Sequence, residues 1–92
     1  MSLSIDVYRY NLITKILFAT SQEEVTRYCL SAIKGLEQHS VPKPVVEEFV
    51  DSTLGQLESF TPLETESQQW SNIKRARIEF RRIKGQSGKA TD

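Results

Sequence analysis

A single cysteine and a single histidine in 92 residues exclude several kinds of chemistry at once. Cys29 cannot close a disulfide within the chain, and without a second thiol there is no zinc ribbon and no redox pair. That usage fits a reducing, cytoplasmic setting. His39 lies near a predicted helix end, and no nucleophile, base and orienting group can be assembled around it or around Cys29. Gly35, Gly55, Gly85 and Gly88 are scattered and build no phosphate-cradling loop. Long apolar runs are missing too. Leu12 to Ala19 contains Lys15 and is preceded by Asp6 and Arg9, so it reads neither as a secretory leader nor as a span of roughly 20 apolar residues.

What the chain has in quantity is charge, segregated by sign. Twelve basic and twelve acidic residues cancel overall. Residues 1–66 hold five bases against ten acids, a net of −5, and residues 67–92 hold seven bases against two acids, a net of +5. The hydrophobic content is 38%, enough for one modest core. A chain of this size gains from pairing with another copy, so a homo-oligomer is expected.

Helical periodicity dominates. Ser21-Gln22-Glu23-Glu24 has capping-box spacing, and Val25, Tyr28, Cys29, Ala32, Ile33 and Leu36 follow on one arc of a helix. Gly35 interrupts that pattern at a cost of roughly 1 kcal/mol. Val41-Pro42-Lys43-Pro44 stops the helix, and Pro44 suits the first position of the next, where its missing amide costs nothing. There Val46, Phe49, Val50, Thr53, Leu57 and Phe60 share an arc, with Glu47, Glu48, Asp51 and Glu58 as an acidic face behind it. After Thr61-Pro62, Thr65 or Ser67 caps a fourth helix with the seam Ile73, Ala76, Phe80 and Ile83. Ile5 to Thr20 is apolar nearly all round. A helix buried on most sides is preferred there, while a strand pairing with its copy in a dimer stays open.

The predicted architecture is therefore all-α: a bundle of about four helices, 5–19, 22–39, 44–60 and 67–84, antiparallel or partly orthogonal, with short loops. Residues 1–84 form the single domain. Residues 85–92, with no apolar side chain larger than alanine, form a flexible tail.

For function, the pattern points away from an enzyme, and no catalytic, cofactor-binding or metal-ligating set emerges; nor does a small-molecule substrate. Di-metal bundles project carboxylates inward, whereas the acids of the third helix lie opposite its apolar arc. The surfaces that remain are partner-binding candidates: Glu47, Glu48 and Asp51 on the acidic face, and Lys74, Arg75, Arg77, Arg81 and Arg82 on the fourth helix, with Ile78 as an apolar anchor among them. The reading is a non-enzymatic protein–protein interaction module that self-associates. The alternative is a nucleic-acid-binding accessory protein that lays the basic face of the fourth helix along phosphates. A third outcome is that the acidic and basic helices lie against each other, in one chain or between two copies.

Overall fold

The computed structural model describes the backbone of residues 4–89 and the side chains of 4–85. Its elements are α1 (Ile5–Phe18), α2 (Gln22–Gln38), α3 (Lys43–Glu58) and α4 (Ser67–Lys89), with no strand among the described residues. The all-α reading holds, and the stretch 5–18 is a helix. Of the flexible tail expected over 85–92, residues 90–92 lie outside the described backbone, and over 85–89 the α4 backbone runs on through Lys89.

Local chemistry explains each boundary. The Ser4 hydroxyl accepts from the Val7 amide at the start of α1, where Asp6 also complements the positive helix end. At α2 the Ser21 hydroxyl accepts from the Glu24 amide at 3.2 Å. The Glu24 carboxylate reaches back one residue further than a standard box, taking the Thr20 amide at 2.8 Å and the Thr20 hydroxyl at 3.0 Å. These bonds hold its carboxyl below the usual carboxylate range. The end of α2 is a Schellman motif: the Val41 amide bonds to the Leu36 carbonyl and the Ser40 amide to that of Glu37. Ser40 takes the left-handed conformation this requires, at φ 57°.

The start of α3 differs from the sequence expectation by a residue, and α4 begins at Ser67 as expected but with a different cap. Pro42 precedes α3 as its cap and Pro44 sits second inside it, because neither of the first two helical positions needs a bonded amide. For α4 the capping position falls on Glu66. Its carbonyl accepts from the Trp70 amide, and its own amide donates to the Gln69 side chain.

The core is one cluster from all four helices, including Ile16, Val25, Leu36, Phe49, Leu57 and Phe80. The predicted seam of α4 is inside it: Ile73, Ala76 and Phe80 are fully buried and Ile83 packs at the edge. Tyr8 and Phe80 both stack their edges or tilted faces near Phe49, with ring centroids 5.6 and 6.5 Å away. Helix α1 touches the other three helices but leaves Val7, Tyr10 and Phe18 exposed, so it is less enclosed than its all-round apolar sequence implies.

The misplaced-looking Gly35 has a reason. The Tyr8 hydroxyl crosses from α1 and donates to the Ala32 carbonyl at 2.6 Å, and a Cβ on residue 35 would stand 2.5 Å from that oxygen. Gly35→Ala is therefore expected to destabilise the fold by about 1–3 kcal/mol through overpacking, although alanine is the better helix former. In a Tyr8→Phe background the same change should be neutral or stabilising by up to about 1 kcal/mol. Urea unfolding of the four proteins in the cycle measures this, and additive losses would refute the contact.

Candidate functional site

The basic helix was the sequence's main candidate, and its residues divide between two faces. Arg77 turns inward. Its guanidinium donates to the Leu57 carbonyl at 2.9 and 3.2 Å and to the Phe60 carbonyl at 3.0 Å, closing the C-terminal end of α3, and it stacks over Trp70 at 4.9 Å. Asn72, fully buried, does the same for α1. Its amide nitrogen donates to the Ala19 carbonyl at 2.8 Å and the Leu17 carbonyl at 3.4 Å, and its oxygen accepts from Gln68.

Glu79 is the larger surprise. It reads in sequence as a break in a solvated basic face, yet it is 1% exposed. Arg75 at 3.2 Å and Arg82 at 3.4 Å bracket its carboxylate, and the Thr26 hydroxyl of α2 donates to it at 3.2 Å. Arg75 Nε in turn donates to Thr26 at 3.1 Å. A carboxylate removed from water needs this set of donors, so Arg75 and Arg82 are spent on holding it. The signal was present: Asn72, Ala76, Glu79 and Ile83 recur at i, i+4, i+7 and i+11, which places Glu79 on the inner stripe between two arginines one turn away.

On the outer side, Arg81 pairs with Glu58 at 2.8 Å and Lys84 with Asp51 at 2.9 Å, both linking α4 to α3. The complementary faces thus meet within one chain. Of Lys74, Arg75, Arg77, Arg81, Arg82 and Lys84, only Lys74 makes no ion pair or side-chain hydrogen bond among the described residues. Ile78 is 48% exposed on this outer face, beside Lys74, Arg81 and Arg82 in helical order. Glu47 and Glu48 are exposed on α3.

Sequence reasoning missed a groove between α2 and α3. These two helices meet least of any pair, and they leave a cleft of ≈ 670 Å³. Leu30, Ile33, Val41, Val46, Val50 and Ile83 line it with apolar surface, and Lys34, Glu37, Lys43 and Glu47 edge it. Of the earlier candidates only Glu47 belongs to it. Leu30 was the available clue, since it stands off the core arc of α2 and is 52% exposed. A smaller cleft of ≈ 220 Å³ between α1 and α2 is lined by Tyr8, Asn11, Lys15, Tyr28 and Ser31 among others, with the Lys15 ammonium 5.9 Å from the Tyr28 ring.

The two residue types most often recruited for catalysis sit apart. His39 is exposed, with Nδ1 2.8 Å from the Gly35 carbonyl. Cys29 is buried in the core. Burial, and then the charge of Glu79, push its thiol from an ordinary 9.0 to about 12, against a smaller opposing pull from Arg75. Its nucleophilic thiolate is therefore suppressed at neutral pH. Among the described residues no three of His, Cys, Asp and Glu converge to hold a metal, and no helix is long and apolar enough to cross a membrane.

Two measurements follow from these environments. Asn72→Ala orphans the carbonyls of Ala19 and Leu17 in a buried place, and should lower stability by about 1–3 kcal/mol in urea unfolding. A loss within error would mean that water replaces the amide. For Cys29, and for Tyr8, whose phenol is also raised by burial, the protonated neutral form belongs to the folded state. The Cys29 contribution is whole below about pH 9 and is lost as pH climbs toward about 12, and that of Tyr8 is lost as pH rises past the ordinary phenol range. Thermal melts over that window should show a falling Tm, with a shallower slope in Cys29→Ala; equal slopes would sink the assignment to the thiol. Compared with known proteins, the chain matches no family model, no curated protein and no solved structure, so its own surfaces are what point to its role.

Proposed function

We propose that this chain is a non-enzymatic helical protein–protein interaction module that self-associates, working in a reducing compartment such as the cytoplasm, where a lone thiol persists unpaired. The observation that carries the reading is the groove between α2 and α3. It offers an apolar floor of several large side chains in a protein whose own core is small. Apolar surface of this kind, rimmed by charge, marks a place where another polypeptide excludes water. The basic face of α4 supports the nucleic-acid alternative less well, because most of its cations already meet acceptors inside the chain and phosphates would have to compete for them.

Light scattering across a range of protein concentrations, in low and in moderate salt, tests this. The expected result is a mass that rises from one chain to two with concentration and changes little with salt, together with the ultraviolet absorbance ratio of pure protein. A monomer carrying nucleic acid that moderate salt strips away would overturn the module and return the role to Lys74, Arg81 and Arg82.

A further inference from the structure

Resting on that reading, we infer that the occupant of the groove is the same groove of a second copy, packed about a two-fold axis with the α2 helices antiparallel and the α3 helices antiparallel. The charge pattern of the rim carries this. On the α2 wall Glu37 lies nearer the turn 39–42 and Lys34 about one turn further from it; on the α3 wall Lys43 lies nearer that turn and Glu47 about one turn further from it. Each wall therefore bears one charge of each sign, and the order of signs reverses between walls. None of the four is in an ion pair among the described residues. Most surfaces turned onto their own copy bring like charges together at some point. In this one, inversion along the groove sets Lys34 opposite Glu37 of the second copy on α2, and Lys43 opposite Glu47 of the second copy on α3. An isologous contact counts each pair twice, so four ion pairs ring one apolar patch.

The apolar residues agree with that register. With Lys34 opposite Glu37, Leu30 lies one turn beyond Lys34 and is carried toward the turn end of the second copy's groove, where Val41 is part of the lining. Leu30 is half exposed in the single chain and Val41 lines the far end of the groove, so each copy contributes a protruding side chain to the other's recess. The two walls also agree on where the axis lies. Pairing 34 with 37 centres it between Gly35 and Leu36, pairing 43 with 47 centres it on Val45, and both centres fall within about one turn of the helix ends that residues 39–42 join. The charges fix orientation and register while Leu30, Ile33, Val46 and Val50 supply the area removed from water.

Charge reversal tests the register on exposed positions that the fold does not use. Lys34→Glu alone and Glu37→Lys alone should each weaken self-association by about 10- to 100-fold, because each sets like charges face to face twice. Mixing these two variants should restore it as a heterodimer. The two reversed sites then meet as one pair of opposite sign, and the unchanged Glu37 of one chain meets the unchanged Lys34 of the other as a second. Analytical ultracentrifugation of each variant and of the mixture reads this. Leu30→Glu should give a folded monomer, with circular dichroism as the check on folding. A wild-type dimer that persists through Leu30→Glu and both reversals would keep the self-associating module but overturn the groove as its interface. A wild type that stays monomeric at every concentration would overturn both, and would leave the groove to a foreign helix.

Discussion

The fold depends on how the open ends of two helices are closed. The last carbonyls of α1 and α3 lie past the regular intrahelical ladder, the Leu57 carbonyl meeting only the amides of the cap, and both ends are at least partly buried against α4. The donors come from α4: Asn72 for Leu17 and Ala19, Arg77 for Leu57 and Phe60. Glu79 adds the tie to α2 through Thr26. The last helix in the chain thus carries, along one inner stripe, both the apolar seam and the polar groups that each earlier helix lacks. Because these partners lie between 17 and 55 residues apart in sequence, α4 can make them only once the other helices stand in place.

This also accounts for the segregated charge. A helix that must cap carbonyls and neutralise a buried carboxylate is rich in arginine, because the guanidinium fork can meet two acceptors and still leave a face to stack, as Arg77 does over Trp70. The acids of α3 answer the remaining cations, Glu58 to Arg81 and Asp51 to Lys84. Exposed pairs of this kind add little stability, about 0–1 kcal/mol each, but they favour the α3–α4 contact over other pairings. The net −5 and +5 of the two chain segments are then in part a record of how the chain packs on itself, through Glu58 and Asp51.

Where the local signal was periodic, the sequence was readable: Ser21 with Glu24 opens α2, the prolines divide α2 from α3, and Ile73, Ala76 and Phe80 lie at the centre of the core. These features depend on neighbours within a turn or two. The fates of Arg75, Arg77 and Glu79 depend on which carbonyls and hydroxyls other helices bring near, so composition alone made them a solvated face. Gly35 is the same lesson in miniature, since its reason is a hydroxyl that arrives from Tyr8. The groove was the least legible feature. Lys34 and Glu37 look like ordinary outer residues of α2, and only the splay between α2 and α3 gives them a shared rim with Lys43 and Glu47.

That splay traces back to α4 as well. Its apolar seam ends at Ile83, which lies at the groove, and Lys84 and Gly85 have nothing apolar with which to cover α2 and α3 further along. Leu30, Val41 and Val46 are therefore left beside a helix that has run out of seam. A continuation of the i, i+3, i+7 pattern for one more turn would extend apolar cover beyond Ile83 at the edge of the cleft. The sequence has Gln86 and Ser87 at the next positions of that pattern, and the apolar surface left beside it is what the proposed second copy would bury.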